Sequence, residues 1–254
     1  MPNPFGTEEM ATGYSTSRPG VHPRVIEQAY KQLGRTEPFQ LVIDVGCGAG
    51  VSTKALTGFA KNCIGLEPME GMLKWAPTTA PFARFVVGTA EAIPLCDHSV
   101  DLITAAGSLN YANLDLFFPE AARVLRGDGV LLVYDFSPGR SFRDATSLDK
   151  WFSGFYSRYP PPENEARRLS PEILSEMSPG FRILSHHQFE IGITMTLTSY
   201  VDYMMTETNV AACVRGGVPQ SEIKSWCAKT LVPVWNGQER EVLFRGYFAC
   251  MGTA

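Results

Sequence analysis

Leu41-Val42-Ile43-Asp44-Val45-Gly46-Cys47-Gly48-Ala49-Gly50 constrains this chain more than any other stretch. Leu41, Val42, Ile43 and Val45 form a short apolar run without helical period, which suits a parallel strand buried on both faces. Gly46 and Gly48 then allow backbone angles and a closeness of approach that a Cβ would forbid, so a flat polar ligand can press against main chain. Val51 to Phe59 has helix-compatible spacing, with Ser52 and Thr53 placed to satisfy the free amides of its first turn.

The third glycine narrows the ligand. A dinucleotide fingerprint needs Gly-x-Gly-x-x-Gly, and position 51 is Val; the pattern is instead Asp-x-Gly-x-Gly-x-Gly. An acid two residues before the first glycine favours a cofactor with an ammonium or sulfonium group over one whose pyrophosphate sits on a helix N-terminus. The Gly-Lys-Ser/Thr ending of a phosphate-binding loop is absent. Cys63-Ile64-Gly65-Leu66-Glu67 reads as the next strand. Glu67 stands at its carboxyl end, where nucleoside-binding folds place the acid that grips ribose hydroxyls.

At these residues the chain resembles the class I S-adenosylmethionine-dependent methyltransferases. Within them it is similar to the methyltransferase type 11 group, which includes ubiquinone/menaquinone C-methyltransferases and trans-aconitate-type O-methyltransferases. The resemblance covers about residues 5 to 137. It rests on Asp44 to Gly50, on Leu66-Glu67-Pro68-Met69, and on Val87 to Leu95 followed by Ser99-Val100-Asp101-Leu102-Ile103. Pro119 to Gly129 resembles the helix and turn before the fifth strand, and Ala11-Thr12-Gly13-Tyr14 with Arg18 to Pro23 resembles an amino-terminal lid.

The resemblance implies S-adenosylmethionine as cofactor and S-adenosylhomocysteine as product. It places Asp44, Gly46, Cys47 and Gly48 in the cofactor turn, Glu67 on the ribose, and Pro68 and Met69 beside the adenine. Thr89, Ala90 and Glu91 would line the adenine edge, with Ala106 on the same sheet edge. Tyr14 and Arg18 would close on the methionine end, Arg18 by charge-assisted hydrogen bonds to its carboxylate. The chain departs from the group after the fourth strand: Ala105-Ala106 leads into Gly107-Ser108-Leu109-Asn110-Tyr111, where many relatives carry Gln-Ala-x-His-Trp. Asn110 cannot accept a proton as His does. Asn110, Tyr111 and Tyr203 are substrate candidates, and no catalytic base is assigned.

The first 137 residues alternate helix (23–33, 51–59, 69–75, 114–125) with strand (41–45, 62–67, 83–88, 100–106, 129–136). Such alternation implies an α/β fold, a Rossmann-like parallel sheet with helices on both faces and a ligand crevice beyond the strands' carboxyl ends. Residues 187–197 and 241–251 read as two further strands, an antiparallel pair; the resemblance implies that they are the last two strands, completing a mostly parallel seven-stranded sheet. One methyltransferase domain over 1–254 is expected, with 1–35 as a lid segment and 138–180 and 198–235 as decorations on the substrate side. The first decoration is a helical cap inserted after the fifth strand. Its aromatics at 151, 152, 155, 156 and 159 share a helical face, read chiefly as packing on the sheet.

Composition narrows the partners. A net charge of -4 with scattered basic residues does not suit a polyanion, so nucleic acid is not expected. No run approaches membrane-spanning length. Cys47, Cys63, Cys96, Cys213, Cys227 and Cys250 include no Cys-x-x-Cys pair and no His at ligand spacing, which argues against a disulfide scaffold or zinc site. A cytoplasmic enzyme acting on a small-molecule acceptor follows, as monomer or homodimer and with no metal. Methyl transfer by direct in-line displacement is the expected chemistry. A non-catalytic S-adenosylmethionine-binding protein and a nicotinamide-dependent dehydrogenase are the alternatives, Val51 counting against the latter.

Overall fold

The computed structural model describes residues 17–161, 166–237 and 239–254, and Tyr14 lies outside the described residues. In chain order the elements begin with α1 (Val21–Gln32), β1 (Phe39–Val45), α2 (Val51–Lys54), β2 (Ala60–Glu67), α3 (Glu70–Leu73), α4 (Ala76–Thr79) and β3 (Arg84–Val87). Next come β4 (Val100–Ala106), α5 (Leu114–Val124), β5 (Leu125–Phe136), β6 (Ser141–Phe142), α6 (Ser147–Arg158) and α7 (Pro171–Met177). The chain ends with β7 (Phe181–Met195), α8 (Leu197–Met204), α9 (Thr208–Arg215), α10 (Gln220–Trp235) and β8 (Arg240–Thr253). Contacts gather these residues into two compact units, one within Met1–Val21, Ser137–Asn164 and Glu190–Arg245, the other within His22–Phe136, Glu165–Phe189 and Gly246–Ala254.

The second unit holds the parallel strands. β1 pairs in parallel with β2 and β4, β2 with β3, and β4 with β5, giving the order β3-β2-β1-β4-β5. β8 then runs antiparallel to β5 over Gly246 to Met251. Ile43, Val45, Ile103 and Leu131 are buried strand residues, and Phe117, Phe118, Ala121 and Val124 of α5 pack into the same core at three- and four-residue spacing. Asn113 caps α5, its side chain accepting from the Asp115 amide at 3.2 Å. The order reverses at β1, with β2 on one side and β4 on the other. That is the switch point at which open α/β sheets leave a crevice beyond the strand ends.

Three expectations change in detail. Eight strands stand where seven were expected; the additional one is the two-residue β6, paired with Val242 and Leu243 of β8. The helix expected over 51–59 is α2 followed by turns, because Ala55, Leu56, Thr57 and Phe59 each donate to the carbonyl three residues back. The helix expected over 69–75 is instead the pair α3 and α4, and Pro77 in the first turn of α4 lacks the N–H that would bond back into the preceding turn.

In the first unit α6 lies against β6, a strand of the sheet, and its aromatic face also meets a helix. That helix is α10: Trp151 and Trp226 have ring centroids 5.6 Å apart, and Trp151 Nε1 donates to Thr230 Oγ1 at 2.9 Å. Phe155 is fully buried and stacks on Trp151 at 5.0 Å. Ile223, Cys227, Leu231 and Trp235 make the buried stripe of α10 at four-residue spacing. No helix among the described residues is long and apolar enough to cross a membrane.

Candidate active site at the carboxyl ends of the parallel strands

The turn after β1 is held from both sides. Gly46 and Cys47 each donate a backbone N–H to the Leu66 carbonyl, at 2.7 and 3.1 Å, which lays the turn over the end of β2. Gly46 has φ +69°, a left-handed angle that strains any residue with a Cβ, and a Cβ there would overlap the Ser108 side chain. Ser108 Oγ in turn donates to the Val45 carbonyl at 2.6 Å. Glycine at position 46 therefore allows the β1 and β4 loops to touch. Gly48 and Gly50 have φ of +54° and +84°, so every second residue of the turn is left-handed.

Asp44 sits beneath the turn, fully buried. Its Oδ2 accepts from Ser52 Oγ and Thr53 Oγ1, both at 2.7 Å, and its Oδ1 accepts from Thr104 Oγ1 at 2.8 Å. Ser52 and Thr53 thus do not cap the first turn of α2 as the sequence suggested; the Ncap Gly50 has no side-chain bond, and both hydroxyls point back to the acid. Burial pushes the Asp44 carboxyl up from its ordinary value, and the three hydroxyls pull it partly back. Asp44 acts as a brace that ties β1, α2 and β4 together.

Glu67 stands on the other side of the turn and is 7% exposed. Its Oε2 accepts from the Gly48 amide and its Oε1 from the Met69 amide, both at 3.0 Å. Burial raises its carboxyl above the usual range, the two amides oppose this, and the Asp44 charge adds to the rise. Each carboxylate oxygen retains a lone pair for one further donor. Glu67 therefore grips the turn at Gly48, while Asp44 braces the elements on either side of it.

The other expected residues divide by placement. Cys47 turns its buried thiol toward Gly65, Leu73 and Ala76, leaving its backbone in the turn. Pro68 is exposed and Met69 half-buried. Thr89 is exposed and bridges Ala92, Ala90 packs against the main core, and Glu91 Oε1 accepts from the Asn113 amide at 2.8 Å. Ala106 is half-buried at the end of β4, paired with Tyr134 of β5. Tyr111 is 61% exposed. In the first unit, Arg18 and Tyr203 come together: the Arg18 guanidinium lies 5.4 Å from the Tyr203 ring centroid, and its Nη2 donates to the Thr206 carbonyl at 3.2 Å.

Sequence reasoning did not single out Asp135. This acid lies near the carboxyl end of β5, where Oδ2 accepts from Asn110 Nδ2 at 2.7 Å and Oδ1 from the Phe136 amide at 2.8 Å. Burial raises its carboxyl, with both hydrogen bonds opposing. An acid ending an apolar strand, Leu131-Leu132-Val133-Tyr134-Asp135, was the available signal; it repeats the way Asp44 and Glu67 end β1 and β2.

Comparison with known proteins agrees with this geometry. The family model described as a methyltransferase domain matches residues 43–133, the stretch that carries the turn, Glu67 and β5 up to Val133. A Dictyostelium discoideum protein named as a methyltransferase is 25% identical over 223 residues, covering 85% of this chain and 83% of its own. The demethylmenaquinone methyltransferase of Renibacterium salmoninarum is 33% identical over 101 residues, covering 39% of this chain and 43% of that protein. A solved structure titled as a type II methyltransferase from Anaeromyxobacter dehalogenans superposes with a TM-score of 0.70 at 22% identity, over 93% of this chain and 97% of that one. Residues 43–133 thus carry a methyltransferase domain, and the chain shares the fold of a solved methyltransferase structure.

Proposed function

We propose that the chain moves the methyl group of S-adenosylmethionine to a small-molecule acceptor by direct in-line displacement, with the cofactor lying along the turn from Gly46 to Gly50. One observation carries this reading: the left-handed glycine turn and the Glu67 carboxylate share hydrogen bonds at the ends of β1 and β2. The remaining lone pairs of Glu67 suit the two ribose hydroxyls. The backbone of Gly46 and Gly48 suits the amino-acid portion, and Pro68, Met69 and the segment from Thr89 to Glu91 suit the adenine. Asp44 positions rather than binds, since it is fully buried and Ser52, Thr53 and Thr104 engage three of its four lone pairs.

The chemistry asks little of acid groups. A nucleophile on the acceptor attacks the methyl carbon, the carbon–sulfur bond breaks, and the sulfonium leaves as a neutral thioether. Placement does most of the work: holding two reactants near attack distance is worth about 7 to 11 kcal/mol in favourable cases. Asn110 and Tyr111 follow the carboxyl end of β4 and would shape the acceptor's entry. The dehydrogenase reading loses support from α2, which has a single turn and directs Ser52 and Thr53 at Asp44 instead of at a pyrophosphate. Six free cysteines, four of them buried, favour a reducing cytoplasmic setting.

Calorimetry with S-adenosylhomocysteine, and with a nicotinamide dinucleotide as control, tests the cofactor. Labelled methyl transfer from S-adenosylmethionine into a metabolite extract tests the activity. Binding of the dinucleotide with no binding of S-adenosylhomocysteine would overturn the reading.

A further inference from the structure

The second unit places one more reactive group beside the turn. Gly46 abuts Ser108, and Gly107, one residue earlier, donates its amide to the Tyr134 carbonyl at 2.9 Å. Gly107 has φ +69°, and a Cβ on it would lie 3.1 Å from Asp135 Oδ1. The loop after β4 therefore touches the cofactor turn on one side and the Asp135 carboxylate on the other. β1 and β5 flank β4, so their ends stand about 10 Å apart at ordinary strand spacing.

The surroundings of Asp135 fit a proton acceptor. It is half-buried, not sealed as Asp44 is, and each of its oxygens keeps a lone pair beyond the Asn110 and Phe136 bonds. Tyr247 of β8 stands directly opposite it in the antiparallel pair, 9% exposed, with a buried hydroxyl that has no hydrogen-bond partner among the described residues. An orphaned hydroxyl on the same sheet face as a carboxylate is a costly arrangement unless a ligand completes it. The groups facing Asp135 are Asn110 and Tyr111 from the loop after β4 and Tyr247 from β8. Tyr134 and Phe136 point to the other face, where His22 of α1 meets both. No charged side chain contributes to the state of Asp135.

The geometry points to Asp135 as the catalytic residue that takes the proton from an acidic hydroxyl of the acceptor, phenol- or enol-like, with Asn110 positioning the carboxylate and Tyr247 Oη bonding the acceptor. This rests on the proposed methyl transfer and adds the acceptor class to it. As the acceptor oxygen forms its bond to the methyl carbon, its O–H proton passes to Asp135 and the carbon–sulfur electron pair stays on sulfur. The carboxyl then returns the proton to solvent. A hydroxyl that ionises near 10 needs such help at neutral pH; a carboxylic acid acceptor is already ionised and does not. Burial raises Asp135 toward the operating pH, the direction that strengthens a general base, since an acceptor of protons works best when its own value is near the medium's.

The test uses labelled S-adenosylmethionine with a panel of small phenols, enols, amines and carboxylic acids, read across pH for wild type, Asp135→Asn, Asn110→Ala and Tyr247→Phe. Calorimetry with S-adenosylhomocysteine is run on each protein. The expected result is transfer to phenols or enols that falls on the acid side as Asp135 protonates. Asp135→Asn should lose roughly 100-fold or more in kcat and lose that acid limb, with cofactor affinity unchanged. Asn110→Ala removes a bond that lowers the Asp135 value, so its acid limb moves to higher pH. Tyr247→Phe raises KM for the acceptor without lowering Tm, because its hydroxyl leaves no partner behind. Transfer by Asp135→Asn within a few-fold of wild type, an unshifted acid limb in Asn110→Ala, or wild-type transfer confined to amines and carboxylic acids or to nothing in the panel would overturn the inference. Failure of wild type to bind S-adenosylhomocysteine would instead overturn the proposed function.

Discussion

Gly46→Ala is the sharpest perturbation of the turn, because two separate costs can be worked out for it. At φ +69° a Cβ meets its own backbone, which costs about 1 to 2 kcal/mol. The same Cβ overlaps the Ser108 side chain, and relieving an overlap of that kind in a packed site costs about 1 to 3 kcal/mol. Gly46→Ala should therefore lose about 2 to 5 kcal/mol of unfolding free energy in urea. Ser108→Gly removes the atom that is struck. In that background the same substitution should cost only the backbone share, about 1 to 2 kcal/mol. A double-mutant cycle reads the difference directly, since the two residues touch and should couple. Affinity for S-adenosylhomocysteine, measured by calorimetry on the same four proteins, should fall with Gly46→Ala and recover in part with Ser108→Gly. Equal costs in both backgrounds would refute the contact and with it the idea that the β1 and β4 loops support one another.

Other expectations follow from the two carboxylates. Glu67→Gln keeps one acceptor oxygen but sets an NH2 against an amide, so the affinity for S-adenosylhomocysteine should fall by about 1.5 to 3 kcal/mol, roughly 10- to 150-fold; unchanged calorimetry would remove Glu67 from the site. Thr104→Val conserves shape but withdraws the hydroxyl that donates to Asp44 Oδ1, and should cost about 1 to 3 kcal/mol of stability in urea unfolding. Asp44 also sets a pH dependence. Its folded-state carboxyl is raised, so the folded chain binds more protons than the unfolded chain just above pH 3.8, and this group's contribution to stability declines as pH rises through that window. Wild type measured against Asp44→Asn as pH rises from 3.8 should show that declining difference; a difference that grows with pH would contradict the burial described for Asp44.

The parallel sheet was legible because its signal is local. Val42, Ile43 and Val45 form an apolar run that only a doubly covered strand explains, and Glu67 at the next strand end has the same logic. Side-chain direction within the turn was not legible. Ser52 and Thr53 are good capping residues on sequence grounds, yet a buried acid eight residues earlier outcompetes the helix amides for their hydroxyls. Asp135 was missed for a different reason. Its neighbours, Asn110 and Tyr247, come from distant points in the chain, and the β4–β5 and β5–β8 pairings bring them beside it. The aromatic face of α6 was visible as a face, but its second partner was missed because α10 was not read as a helix. Ile223, Cys227, Leu231 and Trp235 recur every four residues there, interrupted by polar neighbours and by Pro233.

The account stands on the cofactor lying along the glycine turn. Titration of the 15N-labelled chain with S-adenosylhomocysteine, followed through backbone amide resonances, tests this most directly. The amides of Gly46, Cys47, Gly48 and Met69 should shift most, with those of Thr89 to Glu91 next, and the Glu67→Gln variant should need higher ligand concentration for the same shifts. Saturable shifts confined to other parts of the chain, with the turn amides unmoved, would contradict it.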